Sequence, residues 1–69
     1  MKNLIKERLR ELRHENNMTQ KQIAKIINKS ETGYASWEQG LAEPSINDLL
    51  TLSEYYNVTI DYLVGKDNI

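Results

Sequence analysis

Residues 19–40, TQKQIAKIINKSETGYASWEQG, combine two short apolar stripes with a polar turn between them. Thr19, with Gln22 three residues later, is a capping-box pattern that predicts the start of a helix. Ser30 is a favoured N-cap residue for the next helix, and the glycine that closes the segment is suited to end it. Two short helices joined by a tight turn define a helix-turn-helix unit, which this pattern places at residues 20–39.

A longer amphipathic helix precedes this unit, over about residues 3–15. The i, i+4, i+7 stripe that predicts it consists of Ile5, Leu9 and Leu12. Asn16 and Asn17 follow, and asparagine tolerates the left-handed conformation that ends helices. Asn28 occupies the position between the two short helices that requires a residue able to take a positive φ.

Two further helices are predicted after the unit. Ser45, next to Pro44, caps a fourth helix, while Thr59 caps a short fifth helix that Gly65 ends. The expected buried face of the fourth helix consists of Ile46, Leu49, Leu52, Ser53 and Tyr56. No segment alternates like a half-buried strand. The predicted fold is therefore one compact all-α domain of five helices that spans residues 1–69.

Charge is divided unevenly along the chain, although the net charge is only −1. Residues 1–29 hold eight basic and three acidic residues, a balance of +5, whereas residues 30–69 hold one basic and seven acidic residues, a balance of −6. Such asymmetry within one small domain favours a basic face that meets a polyanion. Chance segregation of solvated charges is the alternative interpretation.

The composition excludes several other classes. The chain has no cysteine, which removes disulfides and cysteine-based metal sites and fits a cytoplasmic location. No secretory signal and no apolar run long enough for a membrane span is present. His14 is the only histidine, and neither a glycine-rich phosphate loop nor metal-ligand spacing occurs. We therefore expect no enzyme, no metal, no cofactor and no small-molecule substrate.

Several short segments, taken in order, resemble the lambda-repressor-like (Cro/repressor, XRE-type) helix-turn-helix transcriptional regulators. They are RLRELR, TQKQIA, Ser30, WEQG, EPS and NVTIDYLVG, and they cover about residues 5–65. The resemblance implies a sequence-specific double-stranded DNA-binding regulator, usually a repressor, whose third helix, residues 30–38, enters the major groove. It also implies that Arg13 pairs with Glu38. Arg13 flanks the apolar stripe of the first helix, so its guanidinium could reach inward.

Four residues are expected to contact DNA phosphates. Lys21 and Lys25 lie four residues apart on the outward face of the second helix, and Lys29 projects from the turn. The resemblance adds Gln20, at the start of the second helix, where backbone amides would also favour an anion. The alternative is that these lysines only keep the helix soluble.

The expected base-contacting residues lie on the third helix. A helical wheel of residues 30–38 buries Ser30, Tyr34 and Trp37. It leaves Thr32 and Ser36 outermost, with Glu31 and Ala35 beside them, and the resemblance makes positions 31, 32 and 36 the base-reading ones.

Glu31 could accept a hydrogen bond from a cytosine amino group. Alternatively, it is a residue that the helix dipole favours near an N-terminus. Mid-helix Gly33 either permits a close approach or is simply tolerated. The loop at residues 41–43 lacks the basic residues that similar proteins often carry there, which predicts modest and strongly salt-dependent affinity.

The small size of the domain indicates that it acts together with a partner. A lone helix-turn-helix unit usually binds palindromic sites as a dimer, so a homodimer is expected. The apolar residues considered for its interface are Leu50, Tyr55, Ile60, Tyr62, Val64 and Ile69. Alternatively, Ile60 and Leu63 complete the monomer core. The acidic second half also leaves open a protein-interaction module, of an antirepressor or antitoxin-like kind, with weak or no DNA binding.

Overall fold

A computed structural model describes residues 3–66, in which five helices and no strand are present. The helices are α1 (Ile5–Glu15), α2 (Gln20–Ile26), α3 (Glu31–Gln39), α4 (Ile46–Tyr56) and α5 (Ile60–Val64). The all-α, five-helix prediction is therefore confirmed. The first helix begins at Ile5 instead of residue 3.

The helix starts are set by local hydrogen bonds. Thr19 Oγ1 accepts from the Gln22 amide at 3.1 Å, and Gln22 Oε1 accepts from the Thr19 amide at 2.8 Å, so the predicted capping box forms. Ser30 and Thr59 cap α3 and α5 through a single bond each, in which the side-chain oxygen accepts from the amide of Gly33 or Tyr62. These bonds satisfy amides that have no partner within the helix, which is why the boundaries could be read from the sequence.

The turns depend on residues that adopt a left-handed backbone. Asn17, Asn28 and Asn57 have φ angles of 55°, 62° and 57°, and the helix-ending Gly40 and Gly65 have φ angles of 77° and 87°. Asparagine and glycine adopt this conformation more readily than other residues. The tight α2–α3 connection therefore follows from Asn28.

Each helix supplies one fully buried side chain to a single core. These side chains belong to Leu9, Ile23, Tyr34, Leu52 and Leu63. Because α3 packs against both α1 and α2, the outward face of α3 is held in a fixed orientation. No helix among residues 3–66 has the length and apolarity that a membrane crossing requires.

Two burial predictions are wrong. Ile46 is 70% exposed, because it is the first residue of α4 and the core begins one turn later, at Leu49. Ser30 is also exposed, because as an N-cap it turns its hydroxyl toward the start of α3, where it accepts from the Gly33 amide at 3.0 Å. A Cβ at Gly33 would lie 2.9 Å from that hydroxyl, so the glycine permits this close approach.

α1 and α5 hold each other through polar contacts near the chain ends. Arg8 Nε donates to the Tyr62 carbonyl at 3.0 Å, and its guanidinium carbon lies 4.3 Å from the centre of the Tyr62 ring. The Leu4 amide donates to the Val64 carbonyl at 3.0 Å. The side chains of Tyr62, Val64 and Ile60 also pack partly against the core. Three of the residues considered for a dimer interface thus contribute to the monomer.

Two of the other residues considered for that interface do not belong to the monomer core described above. Leu50 and Tyr55 are each 44% exposed, so they remain accessible on α4. Ile69 lies outside the described residues. An interface that uses Leu50 and Tyr55 would therefore involve α4.

Candidate DNA-binding surface

A buried carboxylate connects the helix-turn-helix unit to α1. Glu38, near the end of α3, is only 2% exposed. Arg13 Nε donates to its Oε2 at 2.7 Å and Arg13 Nη2 donates to its Oε1 at 3.0 Å. Arg13 Nη1 donates to the Met18 carbonyl at 3.0 Å. This two-pronged geometry is the strong form of an arginine–carboxylate pair.

Two further donors complete the network. The Tyr34 hydroxyl donates to Glu38 Oε2 at 2.5 Å, and Gln20 Nε2 donates to Glu38 Oε1 at 3.1 Å. One carboxylate therefore joins α1, α2 and α3. The hydroxyl of the buried Tyr34 is thereby satisfied.

The network also controls the protonation of its members. Burial by itself raises the pKa of Glu38, but the hydrogen bonds from Arg13, Tyr34 and Gln20 outweigh it and hold that pKa below its ordinary value of 4.5. Burial and the bond to Glu38 raise the pKa of Tyr34. The bond to Glu38 likewise raises the pKa of Arg13. Glu38 and Arg13 are therefore both charged at neutral pH, while Tyr34 is neutral.

Acidification is expected to destabilise the protein through Glu38. Because the pKa of Glu38 is lower in the folded state, its contribution to stability is fully present above the ordinary pKa of 4.5 and is lost as the pH falls through the lower folded value. Urea unfolding between pH 7 and pH 3 should show a loss of stability that is smaller in Glu38→Gln. The same pH dependence in both proteins would contradict this assignment.

A second arginine of α1 contacts the end of α3. Arg10 Nη2 donates to the Glu38 carbonyl at 2.9 Å, and so satisfies an acceptor in the last turn of the helix. Sequence reasoning missed this contact and the inward bond of Gln20. The available signal for Arg10 was its spacing of three residues from Arg13, which places both on one side of α1.

Three of the four expected phosphate-contacting residues share one side of the helix-turn-helix unit. Lys21, Lys25 and Lys29 are exposed and line a shallow depression together with Asn28 and Glu31. The structure therefore brings the three ammonium-bearing chains next to the start of α3. The polar groups of the other predicted residue, Gln20, and of Lys29 already have partners in the protein. Gln20 Nε2 donates to Glu38, and Lys29 Nζ lies 3.1 Å from Asp48 Oδ1.

The expected base-contacting residues differ in accessibility. Glu31 and Thr32 are exposed, whereas Ala35 and Ser36 are half-buried. Ser36 Oγ donates its proton to the Gly33 carbonyl at 2.6 Å. The oxygen can still accept a hydrogen bond from a base. The first turn of α3 is therefore its most open part.

A helix-turn-helix family model matches residues 9–63, and the chain belongs to that family. It is 39% identical to the HTH-type transcriptional regulator ImmR of Bacillus subtilis (strain 168) over 62 residues, which are 90% of this chain and 49% of ImmR. The chain thus spans about half the length of this curated relative.

Solved structures show the same architecture. The P22 c2 repressor in complex with a synthetic operator matches with a TM-score of 0.84 and 30% identity, over 91% of this chain and 96% of that one. A transcriptional regulator from Listeria innocua matches with a TM-score of 0.91 and 29% identity, over 100% of this chain and 64% of the other. The fold is therefore that of repressor-type helix-turn-helix domains.

Proposed function

We propose that this chain is a sequence-specific, double-stranded DNA-binding domain of a transcriptional regulator, with α3 in the major groove. The observation that carries this proposal is the likeness to the P22 c2 repressor, which was solved on an operator and matches across almost the whole domain. The exposed lysines beside the start of α3 supply the positive charge that DNA phosphates require.

The residues divide between positioning and base reading. Lys21 and Lys25 bind phosphates, and Lys29 and Gln20 are assigned as further phosphate contacts of the same unit. Base contacts come from the outward face of α3. The residues assigned to it are Glu31, Thr32, Ala35 and Ser36. Because the first turn is the most open, Glu31 and Thr32 carry the largest share of the sequence preference.

The proposed assembly is a homodimer on a palindromic operator, because one module of this size has little area for tight specific binding. Repression is the favoured outcome, since the P22 c2 repressor is among the similar structures. We assign no catalytic role to the chain. The proposed DNA target also favours a cytoplasmic location.

Selection of binding sites from a random duplex pool at low salt tests the proposal. The wild type is expected to enrich one sequence arranged as an inverted repeat. Enrichment of a single half-site would retain DNA reading and remove the dimer. No enrichment and no retention would overturn the DNA-binding function and favour a protein partner.

The variant Glu31→Gln sharpens this test. A glutamate accepts from the amino group of cytosine, whereas glutamine pairs with adenine in the major groove. The selected base is therefore expected to change from cytosine to adenine at one position of each half-site, with overall retention maintained or increased. An identical selected sequence would show that Glu31 reads no base and serves only the start of α3.

A further inference from the structure

The ion pair between Lys29 and Asp48 joins the α2–α3 turn to the start of α4. Lys29 Nζ lies 3.1 Å from Asp48 Oδ1, and the two side chains are 43% and 15% exposed. Lys21 and Lys25 form no ion pair with another residue in the described range 3–66. Lys29 is thus the member of the lysine set whose charge is already matched by a carboxylate.

Asp48 is held in place from its other side. Its Oδ2 accepts from the Ser45 amide at 3.1 Å, and its own amide donates to Ser45 Oγ at 3.1 Å. This capping box fixes the carboxylate at the start of α4. Burial by itself raises the pKa of Asp48, but the bonds from Ser45 and Lys29 outweigh it and lower that pKa, so the group is an anion at neutral pH.

The backbone of Lys29 is fixed as well. Its amide donates to the Ala24 carbonyl at 2.8 Å, and the preceding Asn28 has the left-handed conformation. The Lys29 side chain lines the depression that also contains Lys21 and Lys25. Its ammonium could therefore face either the depression or Asp48, and the choice is made by rotation of a long, partly exposed side chain.

We propose that Asp48 competes with DNA phosphate for the Lys29 ammonium and thereby limits the affinity of the domain for DNA. This inference rests on the proposed function. It adds that the affinity for DNA depends on Asp48, a residue outside the helix-turn-helix unit. Because the pair is partly exposed and its charges are screened, its strength is small enough for a phosphate to displace it. Asp48 therefore attenuates binding without abolishing it.

The variant Asp48→Asn separates the charge from the cap, because asparagine retains an oxygen that can accept from the Ser45 amide. It is expected to bind the selected duplex about threefold to fivefold more tightly near 0.1 M salt. The plot of log affinity against log salt should steepen by up to about 0.9, which corresponds to one added phosphate contact. A thermal melt checks that the variant is folded.

Asp61→Asn is the matched control. Asp61 is exposed in the first turn of α5, so this variant removes one negative charge without altering the Lys29 pair. Its gain in affinity is expected to stay below about twofold, as for a screened exposed charge.

The decisive comparison repeats Asp48→Asn in a protein that already carries Lys29→Ala. With the ammonium absent, the gain from Asp48→Asn should fall to that of Asp61→Asn. A gain that persists without Lys29, or a Lys29-containing variant that binds no tighter than the Asp61→Asn control, would overturn the proposal. In either case, binding of the duplex by the wild type would still support the proposed DNA-binding function. If neither wild type nor Asp48→Asn binds any duplex, both proposals fail.

Discussion

Replacement of Arg13 by Met is expected to lower the free energy of unfolding by about 3 kcal/mol, which is a large part of the stability of so small a domain. The reason is the 2% exposure of Glu38, whose charge would remain buried after its two-pronged partner is lost. Urea denaturation at pH 7 measures the loss, and thermal melting should show a decrease of more than about 10 °C.

Arg10→Met is the matched control for this variant. Arg10 is also a cation of α1 that contacts Glu38, but it donates to the backbone carbonyl and not to the buried carboxylate. The expected loss is about 1 kcal/mol, the usual value for one hydrogen bond. Equal losses in the two variants, or an unchanged melting temperature in Arg13→Met, would contradict a buried ion pair at this site.

A double variant identifies the source of the effect. If the uncompensated charge of Glu38 causes most of the loss, Arg13→Met combined with Glu38→Gln should be less destabilised than the sum of the two single variants. Additive losses would instead show that the two side chains act independently.

Replacement of both Lys21 and Lys25 by Ala is expected to weaken binding to the selected duplex by about 50-fold near 0.1 M salt. Each lysine is exposed beside the start of α3 and has no ion-pair partner among residues 3–66, so each can neutralise one phosphate. The slope of log affinity against log salt should become shallower by about 1.8, because two counterions fewer are released.

Lys66 provides the control for this prediction. It is exposed after α5 and outside the helix-turn-helix unit. Lys21→Ala and Lys25→Ala should each reduce the slope by about 0.9, whereas Lys66→Ala should leave it unchanged. If all three single variants change the slope equally, the effect reflects net charge and the phosphate-binding face lies elsewhere.

Much of the fold could be predicted because the signals are local. The capping box of Thr19 and Gln22 forms within four residues, and the left-handed turns at Asn28 and Asn57 depend on the backbone preference of a single residue type. The error at Ile46 has a physical cause. Helical spacing places it on the same face as Leu49, but spacing does not show where along that face the core begins.

The candidate site was predicted less completely, because several of its side chains can contact either DNA or another residue of the protein. Lys29 was assigned to phosphates from its position in the turn, and Gln20 from the family resemblance. In the structure Gln20 donates to Glu38, and Lys29 pairs with Asp48, nineteen residues further along the chain. No local pattern specifies such contacts, because the first depends on how α2 packs against α3 and the second on how α4 is placed against the helix-turn-helix unit.

The sequence by itself determined the five helices, their caps and turns, and the exposed lysines of α2, because each of these depends on neighbours within about one helical turn. Only the tertiary structure decided that a single buried carboxylate, Glu38, joins three helices, and that the charge of Lys29 is shared with α4. The reason is physical. Buried polar groups must find partners wherever packing brings them, and those partners are usually distant in the chain.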